Sequence, residues 1–214
     1  MSDACKELLA ACQAMDAVKL SPGTSGNLSI RDGDGYWITP SGVAYDCLTA
    51  DMMVFMDMRG GSKGDLKPSS EWRFHLDIYL ARRDAGGICH THSTHATALA
   101  CRREGIPAFH YMVAAAGGHD IRCAPYRTFA TQDLSDVALE ALQSRRACLL
   151  SNHGVIALGA TVGKALKLAQ EVETLAHQFI LSRQIGGPAI LSGEEMDIVL
   201  EKFGTYGQQT KTKA

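Results

Sequence analysis

Apolar residues recur along this chain with two periods that take turns. Leu8, Leu9, Cys12, Met15 and Val18 are spaced as on one helical face. That spacing predicts an amphipathic helix over 3–19, which Ser2 or Asp3 can cap. Ser-Pro-Gly-Thr-Ser-Gly-Asn at 21–27 is turn chemistry. Residues 28–31 and 36–39 flank Asp-Gly-Asp-Gly at 32–35, which reads as a β-hairpin. A strand is expected at 52–56 and a polar loop at 59–66. Ser69 and Ser70 open a helix running to 83. A strand follows at 87–92, and Ser93 caps a helix to 103. Gly, Pro and aromatic residues without a period fill 105–130, which predicts loops and short elements. The helical period returns at 134–144, and strands are expected at 148–151 and 155–158. Thr161 caps a long helix whose stripe includes Ala165, Leu168, Ala169, Val172, Ala176, Phe179 and Ile180. A last helix spans 194–203. Strands and helices alternate with no long linker or repeat, which predicts a single α/β domain of αβα layers. The hairpin argues against a purely parallel sheet.

Composition narrows the function classes. The chain has 214 residues, 46% of them apolar, enough for a substantial core. Twenty-one basic and 23 acidic residues give a net charge of −2. That near-balance argues against a nucleic-acid or membrane-surface partner, whose basic patches usually show in the totals. No apolar run reaches the length of a membrane span, and the polar start of the chain is not a signal peptide. Seven scattered cysteines, with no Cys-x-x-Cys pair, predict reduced thiols in a cytoplasmic protein. There is no Gly-x-Gly-x-x-Gly and no P-loop.

The candidate chemistry centres on histidines. His90 and His92 stand two apart in a strand-like run, so both imidazoles leave one face. Glu71 lies upstream in Pro-Ser-Ser-Glu, and His153 lies downstream in Asn-His-Gly. Three imidazoles and a carboxylate suit a tetrahedral divalent ion, with Zn²⁺ leading. If Glu71 can leave, the fourth position opens to substrate and the site is catalytic. His75, four residues after Glu71, is either an alternative ligand or Glu71's partner. His95 could orient a ligand, while His110, His119 and His177 read as surface, core or loop residues.

Three turns, Gly26-Asn27, Thr39-Pro40-Ser41-Gly42 and Ser69-Ser70, offer hydroxyls, amides and backbone N–H groups of the kind that hold phosphate oxygens. Ordinary turns and caps would look the same. Tyr111, Phe129, Phe203 and Tyr206 are aromatics in loops or near the tail. A tyrosine hydroxyl near a metal can act as a general acid.

Longer stretches carry a resemblance. They are Gly-Thr-Ser-Gly-Asn-Leu-Ser at 23–29, Ile-Thr-Pro-Ser-Gly at 38–42 and Pro-Ser-Ser-Glu-Trp-Arg-Phe-His at 68–75. His-Thr-His at 90–92, the segments 106–118 and 123–129, Asn-His-Gly at 152–154 and 200–207 complete the set. Together these resemble the class II aldolase/adducin-head family over nearly the whole length. The 106–129 segment and the C-terminal match favour its ketose-1-phosphate aldolases. Ser151-Asn152 before His153 and the tail depart from their pattern.

The resemblance implies a single domain over 1–214, a three-layer αβα sandwich on a mixed, largely antiparallel sheet; the polar composition of 208–214 predicts a mobile tail. It implies that Glu71, His90, His92 and His153 bind Zn²⁺, with Mn²⁺ or Co²⁺ as substitutes. Gly26, Asn27, Ser41, Gly42, Ser69 and Ser70 would hold phosphate. Glu71 would be the base and Tyr111 the proton donor, with Tyr111 reaching a neighbouring subunit's site. Phe129, Phe203 and Tyr206 would line the aldehyde side of a homotetramer whose active sites lie at subunit interfaces. The implied reaction is reversible cleavage of a ketose 1-phosphate of the L-fuculose type to dihydroxyacetone phosphate and an aldehyde. The same chemistry on 5-deoxyribulose or 5-methylthioribulose 1-phosphate is the alternative. A ribulose-phosphate 4-epimerase, a dehydratase and a non-enzymatic adducin-like module are weaker readings.

Overall fold

A computed structural model describes residues 2–205 of the chain. Tyr206 and the tail lie outside the described residues. Eight strands form one sheet: β1 (Asn27–Asp32), β2 (Gly35–Ile38), β3 (Val54–Asp57), β4 (Ser62–Lys63), β5 (Gly87–Thr91), β6 (Cys123–Ala124), β7 (Ala147–Leu150) and β8 (Gly154–Gly159). Their order is β4-β3-β2-β1-β5-β8-β7-β6, and every pairing is antiparallel except β6–β7. This is the mixed, largely antiparallel sheet of the expected sandwich.

Among the described residues, six helices cover its two faces: α1 (Asp3–Ala17), α2 (Trp72–Ala81), α3 (Thr94–Cys101), α4 (Gln132–Ala141), α5 (Val162–Gln184) and α6 (Gly193–Thr205). The strand period of two sorts side chains between two cores. Cys89, Leu149, Val155 and Ala157 join α1, α3, α5 and α6 on one side. Ile88, Cys148, Leu150, Ile156 and Leu158 join α2 and α4 on the other. Each fully buried Leu or Ile contributes about 1.5–3 kcal/mol, so both faces help hold the central strands. Among the described residues, no helix is long and apolar enough to cross a membrane.

Local departures from expectation have local causes. The helix expected from Ser69 starts at Trp72, because Ser69 and Glu71 form the preceding turn. Ser2 and Ser93 stand at helix starts without a side-chain cap bond, whereas Thr161 accepts from Lys164 N–H as expected. The strand expected at 52–56 begins at Val54, behind a 3-10 turn at Ala50–Met52. The unpatterned 105–130 stretch holds a 3-10 turn at Tyr111–Ala116, β6 and an Ile106–Ile121 bridge. Val18 is exposed rather than on the buried stripe of α1, since it lies just past the helix end. All seven cysteines are free; Cys5, Cys12, Cys89 and Cys148 are buried, and Cys47 and Cys101 are exposed.

Candidate active site

Strand register assembles the centre. Every residue of β5 is buried. His90 pairs with Asn27 of β1 on one side and with Ile156 of β8 on the other. Asn27, Ser29, Ile88 and His90 therefore share the face covered by α2. His92 lies just past the end of β5, two residues beyond His90, and points the same way. Glu71, at the start of α2, descends onto this face.

His153 arrives through the turn between β7 and β8. Asn152 there adopts a left-handed φ of 55°, which Asn tolerates better than most residues. Its backbone N–H donates to Ala100 and its amide to Cys101. A Cβ on Gly154 would stand 2.3 Å from the Thr91 carbonyl oxygen and 2.9 Å from the His92 ring. Only glycine lets this turn come close enough to set His153 against His92. Asn-His-Gly is thus a geometric requirement of the site.

The three imidazoles form a triangle. Their centroids are each 4.9 Å apart and their planes nearly perpendicular, at 75–83°. Glu71 Oε2 lies 3.1 Å from His90 Nε2, Glu71 Oε1 lies 3.1 Å from His153 Nε2, and the Nε2 atoms of His90 and His92 are 3.0 Å apart. One donor atom from each of the four residues falls within 4.8 Å of the others. His90 Nδ1 donates to the Val155 carbonyl, which turns the Nε2 lone pair inward.

The donor set fits a divalent cation. Glu71 is 95% buried by its relative exposure of 5%, yet its Oε1 accepts no hydrogen bond. Such an orphaned buried carboxylate oxygen is costly unless something positive meets it. Burial pushes the Glu71 carboxyl up, but the adjacent His90 and His153 outweigh it and hold it well below the usual range. His92 is lowered to about 3 by burial and then by His90 and His153, so it stays in the neutral, ligating form.

Beside the cluster lies a cavity of about 280 Å³, lined by Gly26, Asn27, Ser41, Gly42, Ser69, Ser70, Glu71, His92, His153 and Phe129, with Thr24, Ser25 and Pro40. The three turns singled out in the sequence therefore converge on one space. A Pro40–Pro68 bridge and the bond from Ser69 N–H to the Thr39 carbonyl join two of them. The third is pressed close: a Cβ on Gly26 would meet the His90 carbonyl oxygen at 2.8 Å. No lysine or arginine lines the cavity among the described residues. Sequence reasoning missed Thr24 and Ser25; the hydroxyl-rich run at 21–27 was their only signal.

Tyr111 and Phe203 are elsewhere. They share a cavity of about 300 Å³ with Met112, Val199 and Lys202, where the turn at 111–116 meets α6. Tyr111 is 50% exposed and Phe129 is 63% exposed. The competing histidines are accounted for as well. His75 bonds Asn27 rather than Glu71. His95 bonds Glu173 and stacks on His177. His119 pairs with Asp197, and His110 accepts from Met112 N–H.

Residues 6–180 match the family model for the Class II Aldolase and Adducin N-terminal domain. The chain belongs to this family. A 5-methylthioribulose-1-phosphate/5-deoxyribulose-1-phosphate aldolase of Rhodospirillum rubrum is 52% identical over 95% of this chain and 92% of its own. An L-fuculose phosphate aldolase of Escherichia coli is 47% identical over 94% of each chain. Among solved structures, an L-fuculose 1-phosphate aldolase superposes with a TM-score of 0.92 at 40% identity, covering 95% of this chain and 97% of that one. The protein is a class II aldolase, a lyase of a metal-dependent family, and its Glu–His₃ cluster could hold the metal.

Proposed function

We propose that this aldolase reversibly cleaves a ketose 1-phosphate to dihydroxyacetone phosphate and an aldehyde, with Zn²⁺ held by Glu71, His90, His92 and His153. Mn²⁺ and Co²⁺ are substitutes that imidazole and carboxylate donors accept. One juxtaposition carries the reading: a cation-ready cluster with an orphaned carboxylate oxygen opens onto a hydroxyl-lined cavity that no lysine or arginine lines among the described residues.

The hydroxyls of Ser41, Ser69 and Ser70, with Gly26, Asn27 and Gly42, would hold the phosphate. The N-terminus of α2 adds a favourable dipole for its charge. Fixing the phosphate places the three-carbon half against the cluster. A divalent cation held by these four residues would supply Lewis acidity toward the substrate carbonyl. Glu71 would be one of the residues that hold the ion and, once free of it, would serve as the base. In condensation it removes the proton from the carbon beside the carbonyl. Tyr111 then protonates the aldehyde oxygen as the carbon–carbon bond forms. Cleavage runs the same transfers in reverse.

Phe129 stands at the cavity in the same chain. Tyr111 and Phe203 do not line that cavity. This supports a homotetramer in which one subunit's Tyr111, Phe203 and Tyr206 complete its neighbour's site on the aldehyde side. The cytoplasm is the proposed compartment, and a small sugar phosphate, not nucleic acid or membrane, the proposed partner.

The aldehyde divides the reading in two. L-fuculose 1-phosphate is supported by the Escherichia coli relative and the superposed structure. 5-Deoxyribulose and 5-methylthioribulose 1-phosphates are supported by the 52% identical relative. Release of dihydroxyacetone phosphate from all three, with and without prior chelation, tests both. Chelator-sensitive release is expected, and the ratio of kcat/KM values names the aldehyde. No release from any of them by zinc-loaded protein would overturn the proposal in favour of epimerase or dehydratase chemistry.

A further inference from the structure

Beneath the metal cluster runs a buried line of polar side chains. Asn27 Nδ2 lies 3.0 Å from Glu71 Oε2, and Asn27 Oδ1 lies 2.6 Å from His75 Nε2. His75 Nδ1 lies 2.7 Å from Ser29 Oγ, which lies 2.8 Å from the Tyr79 hydroxyl. Ser29 and His75 have no exposed surface, and Tyr79 is 1% exposed. The line ends where Arg31 covers the Tyr79 ring, its guanidinium tied to backbone carbonyls of Tyr79, Arg82 and Ala85.

The direction of every bond follows from its first member. An ionised carboxylate only accepts, so the Asn27 amide N–H must face Glu71. Asn27 Oδ1 then faces His75 as an acceptor, so His75 Nε2 carries the proton. In a neutral ring Nδ1 is bare, so Ser29 donates to it and Tyr79 donates to Ser29. Burial, and then the nearby His90, lower His75 to about 3, which keeps the ring neutral. Burial also pushes the Tyr79 hydroxyl up, so it remains a donor.

We propose that His75 is a positioning residue for Glu71: acting through Asn27, it locks the carboxylate in the orientation that presents Oε1 to the reacting centre. A flipped Asn27 amide would set its carbonyl oxygen against the carboxylate, and the His75 Nε2–H forbids that flip. Oε2 is thereby occupied, and Oε1 is the oxygen left without a hydrogen bond. A purely space-filling residue beside Phe74 would leave Asn27 Oδ1 unsatisfied in a buried site.

The effect on turnover rests on the aldolase reading; the tautomer does not. ¹⁵N spectra of histidine-labelled wild-type protein, with the His75 signals assigned by their loss in His75→Gln, read the ring directly. A protonated Nε2 and a bare Nδ1 are expected at neutral pH. The opposite tautomer, or an imidazolium, overturns the proposal.

Three variants read the consequence. His75→Gln carries an amide N–H to the Nε2 position, His75→Asn serves only the Ser29 side, and His75→Phe serves neither. In the Asn and Phe variants, kcat should fall roughly 10–100-fold, the usual cost of losing a group that orients a ligand, with KM and zinc content near wild type. The Gln variant should recover most of that loss. Equal loss in all three, or no loss in any, overturns the proposal. If wild-type protein is inactive on every ketose phosphate, the aldolase reading fails and the tautomer alone decides the orientation.

Discussion

Glu71 and His90 are buried at the floor of the centre, and hydrogen bonds to Asn27 and to the Val155 carbonyl hold them. Tyr111 and Phe129 stand half or more exposed, and Tyr111 and Phe203 lie in a different cavity from the cluster. The first region is complete within one chain because β1, β5 and β8 are neighbours in one sheet. Rigid strands with fixed register, and the turn and helix start that they anchor, can place four donor atoms to within ångströms. The second region depends on a short turn packed on α6 and presents large aromatics to solvent, as the proposed oligomer would require of a surface it covers. The difference teaches that the proposed metal and phosphate groups converge within one chain, whereas the proposed aldehyde-side groups do not and are expected to need a second subunit.

Breaking the intrachain half should have the largest effect. Glu71→Gln is expected to lower kcat by about 10³-fold or more, within the range for losing a general base, while three imidazoles still retain much of the metal. Metal analysis beside a triose-phosphate release assay checks this, and full activity would remove Glu71 as the base. Tyr111→Phe should lower kcat by roughly 10²-fold and leave metal content unchanged. Mixing the two inactive variants, unfolded and refolded together, should restore part of the activity, because some sites then combine an intact Glu71 with an intact Tyr111. Failure to complement in a mixed oligomer would show that both residues serve one chain's site.

Ser70→Ala removes one neutral donor to a charged phosphate, an interaction of about 1.5–3 kcal/mol. It should raise KM roughly ten-fold with little change in kcat. An unchanged KM would move the phosphate elsewhere. The smallest effect concerns pH. His75 titrates near 3 in the fold against an ordinary value of 6.5. Between those values the unfolded chain takes a proton that the folded chain refuses. His75 therefore makes stability rise with pH across that window and fall on acidification. Urea midpoints from about pH 7 to about pH 4 should show a shallower loss in His75→Phe than in wild type. Equal slopes would mean that the ring is protonated in the fold.

The legible part of the site was the part governed by short-range periodicity. The two-residue step from His90 to His92 is a strand repeat, and strand geometry alone sends both rings one way. Asn-His-Gly was legible as a motif, but its cause, the close approach of Gly154 to Thr91 and His92, is a tertiary contact. His75 shows the limit of helical spacing. Four residues from Glu71 put it on Glu71's side of α2, as expected, yet its ring reaches across to Asn27 on β1. Nothing between 27 and 75 announces that pairing.

The sequence by itself determined the alternation of elements, the two-sided sheet, the shared face of His90 and His92 and the three hydroxyl-rich turns. Each is written in intervals of two to four residues, the range over which backbone geometry is fixed by local sterics and hydrogen bonding. The tertiary structure decided what register and packing control. It placed Asn27 opposite His90, added Thr24 and Ser25 to the cavity and set the direction of the Glu71–Tyr79 hydrogen-bond chain. It also kept Tyr111 apart from the metal cluster. Those outcomes depend on which strands become neighbours and which surfaces are left to be covered, and long-range burial settles both.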